Sequence, residues 1–235
     1  MQIFLFVLIL IGSYFIGNLS FARMLSKNQK KDITKQGSGN PGTMNMLRTF
    51  GLKTGALTLI LDVMKGVVPA LTGFLLFGGT SGGALAYIGL YSAGLAVILG
   101  HNFPVVYKFK GGKGVACILG VFLVVRPIET LIVVVAVFIY LCIFDYAAVG
   151  SFILITVITL VEAYRINVAG YDLTSELVLK SLLFVLFFLT WFMHRQNIFR
   201  MLLGKENKVN LLNSLKKLGK KNKAKRKEEK NKEIG

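Results

Sequence analysis

The chain has 235 residues, 54% of them apolar, and a formal charge of +17 from 28 Lys and Arg against 11 Asp and Glu. Several uncharged apolar runs approach or reach membrane-spanning length, which excludes an ordinary soluble domain, and their unbroken character excludes the alternating strands of an outer-membrane barrel. The basic surplus sits between and after these runs, so it marks topology rather than nucleic acid, and no aromatic follows Phe199 to stack bases.

Ile3 to Ala22 is predicted as the first span, with Asn18 as interhelical glue. It has no basic start and no A-x-A site after it, so it reads as a retained span rather than a cleaved signal. Arg23, Lys27, Lys30 and Lys31 come after it, which places the N-terminus outside. A basic loop follows over 23–54. Span two is predicted over Gly55–Phe77, with Asp62 and Lys65 three residues apart as a mutual pair inside the bundle. A short uncharged loop (78–83) leads to span three, Ala84–Gly100, and then to a second basic loop, His101–Gly114.

Val115–Phe144 is long enough for one span, but Arg126-Pro127 lies near its middle. A buried Arg there would cost about 2.5–3.5 kcal/mol, and the proline would break the helix. Two short spans meeting at a turn avoid both costs. Span six is predicted over Tyr146–Val161, with Glu162, Arg165 and Asp172 in the next loop. Span seven is Leu177–Met193, with Lys180 snorkelling at its outer end. Residues 205–235 carry twelve Lys or Arg, which places the tail in the cytoplasm. With the N-terminus outside, that requires an odd number of spans. The expected fold is therefore an all-α polytopic membrane protein of seven transmembrane helices, N-terminus outside and C-terminus cytoplasmic. Residues 1–208 form the membrane unit and 209–235 a basic tail. In that tail, Val209, Leu211, Leu212, Leu215 and Leu218 suggest a short helix lying on the anionic inner leaflet, with disorder beyond Gly219.

Three polar stretches fall on the cytoplasmic side of this arrangement. In the first, Gly37–Arg48, three glycines in six residues let backbone amides approach a bound group. Ser38, Gly39, Asn40, Thr43 and Asn45 line up hydrogen-bonding groups, and Arg48 brings a fork of donors suited to phosphate. In the second, Gly111-Gly112-Lys113-Gly114 pairs exposed amides with a cation at a helix start, where the dipole favours anions. It is not a nucleotide P-loop, because no Ser or Thr follows Lys113. In the third, His194 and Asn197 share a helix face at the mouth of span seven, with Arg195 and Arg200 close by. His194 is read as functional. His101 stays open between a structural and a functional role. Cys117 and Cys142 give neither a disulfide framework nor a metal pattern, and two separated histidines with sparse acids make no metal site.

Together, GSGNPGTMNMLRTFG (37–51), GHNFPVVYKFKGGKGVA (100–116) and HRQNIFRMLLGKENK (194–208), with LDVMKG (61–66), resemble the bacterial membrane acyl-phosphate:glycerol-3-phosphate acyltransferase family. The resemblance implies seven spans in the bacterial cytoplasmic membrane. It also implies transfer of a fatty acyl group from acyl phosphate to the sn-1 hydroxyl of glycerol 3-phosphate, giving lysophosphatidic acid and phosphate, the first acylation of phospholipid synthesis. Carried over by position, the family's substrate-binding Ser is Ser38, its Arg is Arg48, its glycine-flanked Lys is Lys113, and its His and Asn are His194 and Asn197. The expected catalytic residues are His194, Ser38 and Asn197, with His194 either accepting the hydroxyl proton or only binding substrate while the donor phosphate takes it. Ser38, Gly39, Asn40, Asn45, Arg48, Gly111, Gly112, Lys113, Gly114, His194 and Asn197 bind substrate. Met44, Thr43 and Cys117 depart from the family's usual Thr, Ala and Thr. No cofactor, metal or nucleic acid is expected; the partners are glycerol 3-phosphate, acyl phosphate and membrane lipids, with a monomeric enzyme. A transporter of a phosphorylated solute is the competing class, though transporters bind near the midplane on broken helices. A non-catalytic lipid-binding scaffold is the third.

Overall fold

The computed structural model describes residues 2–78 and 83–219, and it is all-helical. In chain order the helices are α1 (Gln2–Asn18), α2 (Phe21–Asn28), α3 (Thr43–Phe50), α4 (Leu52–Gly78), α5 (Ala84–Asn102), α6 (Val115–Val125), α7 (Pro127–Phe144), α8 (Ala147–Val168), α9 (Leu173–Met193) and α10 (Arg195–Leu202). Residues 211–219 add a last helix. Most of the uncharged loop expected at 78–83, and the disorder expected beyond Gly219, lie outside the described residues.

Six helical segments among the described residues are long and apolar enough to cross a membrane: Ile3–Asn28, Leu52–Gly78, Ala84–Tyr107, Pro127–Phe144, Ala147–Val168 and Leu173–Met193. The chain is thus a multi-pass membrane protein. α6 is apolar but only 11 residues long, a rise of about 16 Å against a hydrocarbon core of about 30 Å.

α5 is the axis of the bundle. It packs on α1, α4, α6 and α9. Its Leu90, Tyr91, Val97 and Ile98 are fully buried, and they join Ile118, Val121 and Phe122 of α6, Ile155 and Ile158 of α8, and Leu179, Leu183 and Leu186 of α9 in one core. Small residues permit the tightest contacts: a Cβ on Gly100 would run into the Tyr14 carbonyl of α1, and one on Gly66 into the Cys117 carbonyl of α6. Such close backbone approach substitutes for the hydrophobic drive that lipid cannot supply.

The break at Arg126-Pro127 is present. Arg126 lies between α6 and α7, and Pro127 opens α7 where its missing N–H costs nothing. Span six differs from expectation. Glu162 and Arg165 do not fall in a loop; α8 continues through both to Val168. Arg126 Nε donates to Glu162 Oε2 at 2.7 Å, and Arg165 Nη2 to Glu129 Oε1 at 3.1 Å. Partners on α7 and at the α6–α7 turn let charged residues stay helical where a hydropathy run ends. Lys180 likewise finds Glu176, one turn away. Asp62 and Lys65 form the expected buried pair at 2.8 Å, and Lys65 Nζ also donates to the Leu19 carbonyl at 2.6 Å. Asn18 ties α1 to the segment after α5: its Oδ1 accepts from Val106 N in the 105–107 turn, while its Nδ2 donates to Tyr14 O of its own helix.

The tail also differs. Val209 and Leu211 are buried against Leu47 of α3 and Leu141 of α7 rather than facing lipid. Asp145 holds them, its carbonyl accepting from Val209 N at 2.9 Å and its carboxylate from Leu211 N at 2.9 Å.

Candidate functional site

The first polar stretch leads into α3. Gly37 and Gly39 both sit in the left-handed region, at φ 55° and 70°, which bends the loop back over α3. Asn45 fastens it: its Oδ1 accepts from Ser38 N at 3.1 Å, and its Nδ2 donates to the carbonyls of Gln36 at 2.9 Å and Ile33 at 3.3 Å. The Asn45 side chain is thus committed to holding the loop. Arg48 lies one turn further along α3. Its Nε donates to the Lys208 carbonyl at 3.1 Å and its Nη2 to the Asn207 carbonyl at 3.3 Å, so the chain after α10 crosses directly over it.

The second stretch caps α6. Gly114, at φ 78°, is the residue before the first helical turn, and its Cβ would press on Asn102. Gly112 N donates to the His101 carbonyl at 3.1 Å, and Gly111 and Gly112 pack flush on His101. These two glycines shape the loop around His101 while Lys113 and the start of α6 face the cavity. Lys113 Nζ donates to Asn197 Oδ1. Burial, with Arg200 next, lowers the Lys113 ammonium to about 8.

The third stretch is the kink between α9 and α10. Asn197 Nδ2 passes the chain of contacts to Glu206 Oε1 at 2.7 Å, and Glu206 Oε2 accepts from Arg200 Nε at 3.0 Å. His194 is buried, with Nδ1 2.8 Å from the Thr190 carbonyl. A carbonyl can only accept, so Nδ1 carries the proton and Nε2 the lone pair. Phe152 packs edge-on against the imidazole at 5.2 Å. Burial first, and the Lys113 cation second, lower the imidazole to about 4.

Ser38, Asn40, Asn45, Arg48, Lys113, Gly114, His194 and Asn197 therefore line one cavity of about 390 Å³. Gly39, Gly111 and Gly112 are not among the residues that line it. The cavity continues as an apolar groove along single helix faces: Leu52, Ala56 and Leu59 of α4, Leu119 of α6, Val134, Phe138 and Leu141 of α7, and Leu154 of α8. Phe138 and Leu59 are also exposed on the lipid-facing surface, so the groove opens sideways. Among the described residues no three His, Cys, Asp or Glu gather to hold a metal ion.

Sequence reasoning missed Glu206 and undervalued Arg200, both of which line the cavity. The available signal was a lone acid in an otherwise basic segment. Asp62 and His101 reach the far wall, with His101 Nδ1 4.0 Å from Asp62 Oδ1.

Comparison with known proteins gives one consistent result. The family model for glycerol-3-phosphate acyltransferase matches residues 7–204. The glycerol-3-phosphate acyltransferase of Thermoanaerobacter pseudethanolicus is 38% identical over 204 residues, 86% of this chain and 95% of that protein. That of Halalkalibacterium halodurans is 35% identical over 203 residues, 86% of this chain and 94% of that protein. Among solved structures, PlsY (YgiH), an integral membrane glycerol 3-phosphate acyltransferase, superposes in its glycerol 3-phosphate form with a TM-score of 0.71 at 31% identity, covering 86% of this chain and 94% of that one. Its lysophosphatidic acid form gives 0.69. On sequence and architecture together, the chain belongs to the glycerol-3-phosphate acyltransferase family.

Proposed function

We propose that the protein transfers a fatty acyl group from acyl phosphate to the sn-1 hydroxyl of glycerol 3-phosphate, releasing lysophosphatidic acid and phosphate at the cytoplasmic face of a bacterial membrane. The observation that carries this reading is the joining of a cationic pocket to a lipid-open apolar groove in one cavity. Two phosphate-bearing substrates, one with a long tail, require that combination. The solved relative's glycerol 3-phosphate and lysophosphatidic acid forms carry the same substrate and product.

Acyl phosphate is a mixed anhydride and needs no covalent enzyme intermediate, so orientation and charge stabilisation suffice. Arg48, Lys113, Arg200 and the amides at the start of α6 receive the phosphates, with Ser38 and Asn40 on the rim. The glycerol hydroxyl attacks the acyl carbon, the carbon–oxygen bond to phosphate breaks, and the hydroxyl proton must leave. His194 Nε2 accepts a hydrogen bond from that hydroxyl. At about 4 the imidazole is a weaker base than a phosphate dianion, whose conjugate acid has a pKa of about 6. The released phosphate therefore takes the proton, and His194 and Asn197 orient the reaction. The catalytic unit is residues 1–208, counted as seven spans with α6 as the short one, N-terminus outside, acting as a monomer without cofactor; residues 209–235 form its basic tail. Purified protein given labelled glycerol 3-phosphate with either acyl phosphate or acyl-CoA tests the reading. Product is expected with acyl phosphate alone; transfer only from acyl-CoA would refute the donor assignment, and no transfer from either would refute the enzyme.

A further inference from the structure

A second cationic pocket lies outside the candidate site. It is a cleft of about 580 Å³ between α2 and the turn that follows α5, and it shares no lining residue with the substrate cavity. Arg23, Lys27, Lys30 and Lys31 line it against a single acid, Asp32. Among the described residues none of the four cations is in an ion pair, and Asp32 turns its Oδ1 to Thr34, accepting from the N–H at 2.9 Å and from the hydroxyl at 2.7 Å.

Topology alone asks for positive charge in this loop, without any particular arrangement. Here the arrangement is built. α2 ends with Lys30 at φ 55°, a left-handed position usually given to glycine. Lys30 N donates to the Lys27 carbonyl at 2.9 Å and Lys31 N to the Ser26 carbonyl at 3.1 Å, which curls all three lysines round one opening. Arg23 sits in the first turn of α2, where the helix dipole disfavours a cation. Its Nη2 donates to the Lys110 carbonyl at 2.6 Å and its guanidinium lies 4.4 Å over the Tyr107 ring, while its Nε is buried without a partner. A guanidinium held in place with an unsatisfied donor, beside three unpaired ammonium groups, is short of an anion.

The rim identifies which anion. Met24 lines the cleft and is 50% exposed, and Val106 and Phe109, exposed at 61% and 60%, stand in the chain on either side of Tyr107, which also lines it. Phe109 is itself held at φ 61°. A pocket for a free soluble anion has no use for a bare apolar rim, whereas a lipid offers a phosphate and hydrocarbon at the same depth. We propose that this cleft binds the phosphodiester headgroup of an anionic phospholipid in the leaflet around α2, with Met24, Val106 and Phe109 against its upper chains. This site is independent of the acyl-transfer reading.

The test uses the full chain in phosphatidylcholine nanodiscs with graded phosphatidylglycerol, followed by extraction and native mass spectrometry to count retained phosphatidylglycerol. Wild type retains it. Lys27→Gln/Lys30→Gln/Lys31→Gln weakens retention by about tenfold or more, while the equal charge loss in Lys205→Gln/Lys216→Gln/Lys217→Gln changes it less than about twofold. The single Lys31→Gln substitution, at an exposed side chain, gives a smaller loss in the same direction and guards against misfolding of the triple variant. Excess inorganic phosphate leaves the lipid in place. Retention by the cleft variants equal to wild type, equal loss in the tail control, or displacement by inorganic phosphate would each overturn the proposal.

Discussion

The two ends of α6 carry two charge clusters of opposite character. At the Val125 end, Arg126 meets Glu162 and Arg165 meets Glu129, two cations for two carboxylates. At the Gly114 end, Arg48, Lys113 and Arg200 surround Glu206, the other acid of the cavity, Asp62, being paired with Lys65. The first cluster is closed: every charge has its counterpart, and its work is to hold a helical turn against α8. The second is left in positive excess, and its arginine fork donates to backbone carbonyls rather than to a carboxylate. The same residue types thus serve structure where charges cancel and, on the proposed reading, binding where they do not.

That contrast can be broken most sharply at the open end. Arg48→Ala and Lys113→Ala, each removing one donor to a phosphate, are expected to lower acyl transfer by about a hundredfold to a thousandfold while leaving thermal unfolding within a few degrees. Labelled-product assays beside a melting curve check this. Unchanged rates would remove both residues from the site.

At the closed end the expected effect moves to stability. Glu162→Leu strips the partner from Arg126 and should cost about 3 kcal/mol, whereas Glu162→Leu with Arg126→Leu should recover most of it. Activity per folded molecule should stay near wild type in both. Denaturation in detergent separates the outcomes; a large loss of turnover in folded Glu162→Leu protein would show that the cluster is not merely structural.

The pH profile sharpens the comparison from the open side. Burial lowers the Lys113 ammonium to about 8, so its charge is present below that pH and is lost as pH rises through it. KM for glycerol 3-phosphate should fall as the substrate phosphate ionises at about pH 6, stay flat from about pH 7 to 7.5 and rise several-fold above about 8, with the substrate's own charge pulling the midpoint upward. His194, at about 4, is neutral throughout that range, so an inflection at about 6 to 6.5 belongs to the substrate and persists in His194→Gln. An inflection there that vanished in His194→Gln would return the imidazole to the role of base.

The smallest effect concerns the tail. A stop after residue 219 should change activity less than about twofold, whereas a stop after Lys208 removes the Val209 and Leu211 anchors on Asp145 and should lower both melting temperature and rate. Equal behaviour of the two truncations would mean that docking on Leu47 and Leu141 contributes nothing.

The sequence disclosed those parts of the molecule that local chemistry determines. A proline beside a charge marked the α6–α7 break, three residues of separation marked the Asp62–Lys65 pair, and clustered glycines marked the loops at Ser38 and Lys113. It concealed what depends on partners distant in the chain. Glu162 read as a loop residue because Arg126, thirty-six positions away, supplies the countercharge that keeps it in α8. Nothing local to Asn45 says that three backbone groups engage its amide and make it the fastener of the loop as well as a residue of the cavity wall. Val209 and Leu211 read as lipid-facing because their true cover comes from α3 and α7.

The brevity of α6 has a consequence for selectivity. Its share of the groove ends at Leu119, and its rise of about 16 Å is roughly half the thickness of a hydrocarbon core. On the proposed reading, only the carboxyl-proximal half of a fatty tail is held by protein; the remainder spills past Leu59 and Phe138 into the bilayer, where added methylenes meet neighbouring lipid rather than a wall. Such a catalyst would measure headgroups strictly and count carbons loosely, leaving the choice of chain to whatever enzyme makes the activated donor.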